Sequence, residues 1–212
     1  MRNKVEVFTQ NSIRIRGNGK VIYIDPFQMK ESPRDADFVL ITHDHYDHFS
    51  PEDLAKVSGE HTVLVVPEKM AERAEAVSDL VCKIVSVKPG EHYEINGLLF
   101  DTVPAYNRVK PFHPKSAGWV GYILEVDGKK VYVAGDTDAT KEARQVQCDV
   151  ALVPIGGTFT MDARRAAELI NTIGPAIAIP THYGTIVGKP EDAEVFAGKV
   201  RESIRVERIK QY

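Results

Sequence analysis

Cysteine is nearly absent from this chain. Only Cys82 and Cys148 occur among 212 residues, far apart and in no Cys-x-x-Cys spacing. That excludes a disulfide scaffold and a thiolate zinc cluster, and the expectation for both is a buried, reduced thiol. Long apolar runs are missing too: no stretch approaches the roughly 20 residues that span a bilayer. Met1 to Glu6 lacks the apolar segment of a signal peptide, so a cytoplasmic location is expected. Neither sign of charge dominates, with 27 basic against 30 acidic residues and a formal net charge of −3. Like charges do not run together, so the electrostatic footprint of a nucleic-acid binder is lacking. No linker or low-complexity segment interrupts the chain. Residues 1–212 therefore read as one domain, long enough for one sizeable core.

What is present is histidine, concentrated in one place. Three of the seven histidines fall in the stretch Phe38-Val39-Leu40-Ile41-Thr42-His43-Asp44-His45-Tyr46-Asp47-His48. Four apolar residues read as a buried strand and run straight into the polar cluster. His43 and His45 lie two apart, so their rings project to one side while the backbone stays extended. Asp47 and His48 are adjacent and serve a common site only where the chain curls. Imidazole with carboxylate and no thiolate suits zinc, manganese or iron. The end of a buried strand is also where open α/β folds place their sites.

The rest of the chain repeats one pattern. Ser12 to Arg16, Gly17-Asn18-Gly19 and Val21 to Ile24 read as a hairpin stopped by Asp25-Pro26-Phe27. Ser50-Pro51-Glu52-Asp53 starts a helix, with a capping serine, proline in the first turn and acids at the positive end of the dipole. Thr62 to Val66 is a strand, Pro67 opens a helix to about Val77, and Cys82 to Val87 is a strand again. The first half ends with a hairpin over Glu91 to Val103 turning at Asn96-Gly97, and the second half begins after it. Another follows, Trp119 to Ala134, turning at Asp127-Gly128. Val150 to Pro154 and Ala176 to Ile179 are strands around a helix from Asp162 to Ile173 that stops at Gly174-Pro175. A helix from Pro190 to about Val200 and a strand from Ile204 to Ile209 close the chain. Each half is thus hairpins first, then strands alternating with helices, which makes the class α/β.

Two further strand ends carry chemistry. Asp136 follows Val131 to Gly135, where glycine permits a tight turn that exposes the carboxylate; Asp138 competes for the same role. His182 follows Ile179-Pro180-Thr181.

His-x-His-x-Asp-His after an apolar strand resembles the signature of the metallo-β-lactamase-fold hydrolases, and the likeness covers nearly the whole chain. It implies a four-layer αββα sandwich made of the two halves packed sheet to sheet. Ala105-Tyr106-Asn107 and Pro180 to Thr185 look like the small metal-dependent hydrolases related to ascorbate-6-phosphate lactonase. Carried over by residue, the resemblance puts His43 and His45 on one metal ion. It puts Asp47, His48 and His182 on a second, with Asp136 bridging. Where the family usually has one more histidine, this chain has Asn107. Either His113 swings back to replace it, or Asn107 ligates through its carbonyl oxygen, or the first site stays partly open.

The resemblance implies a hydrolase with two divalent ions, zinc before manganese or iron. A water held between ions roughly 3.5–4 Å apart would be lowered in pKa towards ~7 and used as hydroxide on an ester, lactone or phosphodiester. Asp47 takes the catalytic role, orienting the nucleophile while ligating. Asn107, His113 and Lys115, in a loop that also holds Arg108, Lys110 and Phe112, are the candidates for substrate contact. Their charge suits an anionic small molecule. Neither nucleic acid nor membrane is expected as a partner, and a homo-oligomer is left open. Two rival readings stand beside this one: an iron-binding redox relative of the same fold, and a metal-binding protein that has lost turnover.

Overall fold

Three two-residue turns set the strand reversals. Asn18-Gly19, Asn96-Gly97 and Asp127-Gly128 all have both residues in the left-handed region, with φ between 48° and 76°. That is the backbone a tight right-twisted hairpin needs, and Asn, Asp and Gly adopt it at least cost. The computed structural model describes residues 4–208. They form two units, one up to Lys88 and one from Pro89 onward.

The first unit holds β1 (Val5–Val7), β2 (Ile13–Gly17), β3 (Lys20–Ile24), β4 (Ala36–Leu40), β5 (Ser58–Pro67) and β6 (Lys83–Val87). They make a six-stranded sheet in chain order. The pairs β1-β2 and β2-β3 are antiparallel, whereas β3 to β6 run parallel. Helix α1 (Pro51–Val57) starts where expected, with the Ser50 side chain accepting the Asp53 N–H. Asp53 also ties the preceding loop to the helix, accepting the Gln28 and Met29 N–H groups at 2.9 Å each. Burial works to raise its carboxyl, and bonds from Lys56, Ser50 and those two amides overcome it, holding the group below its ordinary pKa. Leu54 and Val57 of α1 pack with Tyr23, Val39, Ile41, Leu64 and Val66 in this unit's core.

The helix expected after Pro67 is broken into pieces: a 3₁₀ turn Glu68–Met70, a short α2 (Ala71–Ala74) and another 3₁₀ stretch Glu75–Leu80. Val77 leaves helical backbone at φ −122°. Ser78 Oγ donates to the Glu75 carbonyl at 2.8 Å, a local bond that competes with helix propagation.

The second unit holds β7 (His92–Ile95), β8 (Leu98–Pro104), β9 (Val120–Val126), β10 (Lys129–Val133), β11 (Val150–Pro154), β12 (Ile177–Thr181) and β13 (Arg205–Val206). Its seven strands again lie in chain order. β7 to β10 pair antiparallel, β10 to β13 parallel. Helix α3 (Ala163–Ile173) is capped by the Asp162 side chain, which accepts the Arg165 N–H, and stops at Gly174 in the left-handed region. Its buried stripe is Ala163, Ala166, Ala167, Leu169 and Ile170, which joins Ala151, Val153, Ala178 and Phe196 in the core. Helix α4 covers only Asp192–Ala197, shorter than the expected span, and β13 is two residues long. The expected end of the last strand, Ile209, lies outside the described residues.

The α/β class with hairpins before parallel strands holds in both units. Strand β1 was not foreseen. Among the described residues no helix is long and apolar enough to cross a membrane. Both cysteines are free, but Cys82 is exposed rather than buried, because it stands just before the edge strand β6. Burial pushes the Cys148 thiol up to about 12, so it is not ionised at neutral pH.

Candidate metal centre

In the first unit, β3 and β4 are parallel with Ile24 opposite Leu40, so Asp25 and the chain from Ile41 leave the same end of the sheet. Asp25 is fully buried. Its carboxylate accepts the Thr42 N–H at 2.7 Å, the Thr42 hydroxyl at 2.6 Å and Asn11 Nδ2 at 2.8 Å, and lies 2.7 Å from His48 Nδ1. A carboxylate can only accept, so His48 Nδ1 carries the proton and Nε2 keeps its lone pair.

The same logic fixes His43. Its Nδ1 is 2.9 Å from Thr42 Oγ1, and that hydroxyl has already given its one hydrogen to Asp25. His43 Nδ1 must therefore donate, which leaves Nε2 in the form that binds metal. His43 Nε2 stands 3.1 Å from His45 Nδ1, and His48 Nε2 stands 3.6 Å from Asp47 Oδ2. The curl that the sequence required is present: the N–H groups of His48 and Phe49 both donate to the His45 carbonyl, at 3.0 and 2.8 Å. Gln10, fully buried and in the left-handed region, donates from Nε2 to Asp47 Oδ2 at 3.3 Å.

In the second unit, β10, β11 and β12 are parallel, and Asp136 and His182 stand just past the carboxyl ends of β10 and β12. Gly135 takes φ +63° in the turn before Asp136. The two oxygens of Asp136 face different imidazoles: Oδ1 is 3.3 Å from His182 Nε2, Oδ2 is 3.4 Å from His113 Nε2. All three side chains are buried. His113 Nδ1 lies 3.0 Å from Asn107 Oδ1, while Asn107 Nδ2 donates to the Phe159 carbonyl at 2.9 Å. The Phe159 bond fixes which way the amide points, so Asn107 accepts and His113 Nδ1 is the protonated nitrogen. A bond from the Asn107 N–H to the His113 carbonyl, 2.7 Å, closes the loop on itself. The asparagine thus orients His113, and the histidine presents Nε2 beside Asp136.

His182 occupies the left-handed region at φ +55°, a conformation that costs a non-glycine residue on the order of 1–3 kcal/mol and gathers at functional sites. Its carbonyl is crowded against Gly156, where a Cβ would come within 2.4 Å of it and within 2.6 Å of Val187 Cγ2. Glycine is needed there.

Whether these donors suit a metal follows from their spacing. With Zn–N of 2.0–2.1 Å, neighbouring ligand atoms of a tetrahedral site lie about 3.3 Å apart. The separations 3.1, 3.3, 3.4 and 3.6 Å within the two clusters scatter around that edge. His43, His45, Asp47, His48, His113, Asp136 and His182 are each able to lend an ion one atom.

Lys115 is placed elsewhere. It is 2.8 Å from Glu142 and lies over the Tyr106 ring at 4.8 Å, and its hydrogen bond holds the Glu142 carboxyl down at about 2. Asp138 accepts the Arg108 N–H on Oδ2 at 2.9 Å. Tyr183 belongs to the apolar core, and burial raises its phenol above the ordinary value. Sequence reasoning missed Asp25, Asn11, Gln10 and the role of Thr42. A signal existed for Asp25: it is the first polar residue after the apolar end of β3, the place Asp136 holds after β10.

Comparison with known proteins finds relatives along nearly the whole chain. The family model of the β-lactamase superfamily domain matches residues 4–182. A UPF0173 metal-dependent hydrolase of Pyrococcus abyssi is 30% identical, over 98% of this chain and 96% of its own length. A protein of known crystal structure from Parabacteroides distasonis superposes with a TM-score of 0.81 at 25% identity, covering 98% of this chain and 93% of its own. The metallo-β-lactamase fold protein YhfI from Bacillus subtilis reaches a TM-score of 0.74 at 11% identity, covering 98% and 94%, a likeness of fold.

Proposed function

We infer that this chain, which belongs to the β-lactamase superfamily and within it to the UPF0173 family, is a metal-dependent hydrolase with two divalent ions. The observation that carries the reading is Asp136. A carboxylate with one oxygen beside His182 and the other beside His113 suits a ligand shared by two cations. His43, His45 and His113 would hold one ion. Asp47, His48 and His182 would hold the other. His113 thereby takes the place that the family gives to a third histidine, with Asn107 as its support.

Zinc fits this imidazole and carboxylate set best, and manganese and iron accept the same donors. When bound, such ions supply Lewis acidity and lower the pKa of water towards ~7. The chain's own residues do the rest. Asp25 and Asn107 keep His48 and His113 in the ligating tautomer. Asp47, steadied by Gln10, orients the attacking water. The substrate class is an ester, lactone or phosphodiester of a small molecule, acted on in the cytoplasm.

Elemental analysis of the purified, unchelated protein, with a panel of phosphodiesters, lactones and thioesters, tests this. About two ions per chain and hydrolysis are expected, with Asp136→Ala losing both metal and turnover, as befits a ligand shared by both ions. No bound metal after reconstitution, or an Asp136→Ala protein with full metal content and turnover, would sink the reading.

A further inference from the structure

Beside Asp138, the second unit has a cavity of about 350 Å³ whose walls include Arg108, Lys110, Asp138, Arg144, Arg165 and Glu168. Its size is at the lower end of small-molecule sites. Four cations and two carboxylates give the walls a net charge of +2. These cations come from three stretches of the chain, Arg108 with Lys110, Arg144 and Arg165, so their convergence is a feature of the tertiary fold. Arg165 stands in the first turn of α3, which has no acidic residue, where a cation opposes the helix dipole.

The hydrogen bonds sort these groups into used and available. Lys110 is consumed: its Nζ donates to the Gly157 carbonyl at 2.8 Å and to the Thr160 carbonyl, and lies 3.8 Å from Asp138 Oδ1. That neutralises Asp138. Arg144 gives only its Nε, to the Ala139 carbonyl at 3.3 Å. Arg165 is loosely held, 3.9 Å from Asp162. Among the described residues the Arg108 side chain has no hydrogen-bond or ion-pair partner, only its backbone N–H being engaged, by Asp138. Three arginines therefore line the cavity against one remaining carboxylate, Glu168. A planar fork of N–H donors is the group best matched to a carboxylate or phosphate.

We propose that this cavity is a binding site for the phosphate or carboxylate group of a small-molecule ligand. Its neighbours say which ligand. Arg108 directly follows Asn107, the residue that orients His113, and Asp138 is two residues past Asp136. An anion held here is tethered beside the candidate metal ligands of this unit, which suits the anionic end of the substrate. That last step rests on the hydrolase reading; the anion site itself does not. Compared with the sequence expectation, Arg144 and Arg165 enter the anion-binding set and Lys115, paired with Glu142, leaves it.

The test is a calorimetric titration of the metal-loaded full chain with inorganic phosphate, with the double variant Arg108→Ala/Arg165→Ala and the control Arg164→Ala alongside. Both substituted arginines are exposed, so the fold is kept. The double variant should lose one phosphate site or bind it at least tenfold more weakly, with Arg164→Ala like the parent. No phosphate binding by the parent, or equal binding by parent and double variant, overturns the proposal. Esters with and without a carboxylate or phosphate tail then separate the sources. A fall in the preference for the anionic ester in the double variant identifies the substrate's own tail. An unchanged preference with weakened phosphate binding identifies a separate anion. If the chain hydrolyses nothing while phosphate binding still depends on the arginines, the hydrolase reading fails and the anion site stands.

Discussion

The two units follow one plan and place their chemistry differently. Each sheet is antiparallel in its first strands and parallel in the rest, and in each the polar residues cluster past the carboxyl ends of parallel strands. The first unit puts its four candidate ligands, His43, His45, Asp47 and His48, into one loop after β4. The second draws His113, Asp136 and His182 from three loops. One loop is held by a single buried anchor: Asp25 receives four groups and, through Thr42, sets the tautomers of both His48 and His43. In the second unit His113 and His182 have separate supports, Asn107 for the one and the Gly156 contact for the other. Concentration makes one anchor decisive, whereas dispersal spreads the same task over several weaker ones.

The largest expected effect tests that asymmetry. Groups that orient a ligating histidine are typically worth roughly 10–100-fold in metal affinity. Asp25→Asn should fall near the upper end, about 100-fold, because it disturbs two rings. Asn107→Ala should fall near about 10-fold, because it frees only His113. Competition with a chelator measures both. Equal losses would show that the anchors are equivalent and break the comparison.

The same contrast decided what could be read from the sequence. Four ligands within six residues of one another are visible as a pattern of spacing, and the strand before them was plain from Phe38 to Ile41. Asp136 and His182 were legible only because each ends an apolar run. His113 was not settled, because its part depends on the Asn107 side chain and on the Phe159 carbonyl, 52 residues away in sequence. Asp25 was read as a strand stop. Its three partner residues, Asn11, Thr42 and His48, lie 14 to 23 residues off, brought near by the pairing of β3 with β2 and β4, which no local spacing reveals. Hairpins were well placed because Asn-Gly and Asp-Gly encode their own backbone. The broken helix after Pro67 was not, since one serine-to-carbonyl bond and one non-helical valine outweigh propensity.

A smaller effect sharpens the comparison at the level of backbone packing. A Cβ on Gly156 would meet the His182 carbonyl at 2.4 Å, and one on Gly59, at the far end of β4 and β5 from the ligand loop, would meet the Arg34 carbonyl at 2.9 Å. Overpacking against backbone costs on the order of 1–3 kcal/mol, so both alanine variants should melt earlier, Gly156→Ala the more so. Only Gly156→Ala should also bind less metal, because its clash falls on a ligand's own peptide. Full metal content in Gly156→Ala would mean that the His182 backbone tolerates the shift and that the strain there is incidental.

The smallest effect compares surface ion pairs. In the first unit Glu6 is bonded by Arg14 at 2.6 Å, and in the second Glu142 is bonded by Lys115 at 2.8 Å. Both carboxyls are lowered, Glu6 below its ordinary 4.5 and Glu142 from 4.5 to about 2, in each case chiefly by that hydrogen bond. A folded state that holds a carboxylate below its unfolded pKa gains stability above that pKa and loses it as the pH falls through the folded value. The parent's advantage over Glu142→Gln should therefore be full at neutral pH, shrink from about pH 4.5 downward and be gone near pH 2. Glu6→Gln should show the same sign and start from the same pH. Both differences should weaken in salt, because exposed pairs are screened. Thermal melts across pH 2 to 7 in low and high salt measure them. A Glu142→Gln curve parallel to the parent's at every pH would show that the short Lys115 contact adds nothing to the fold.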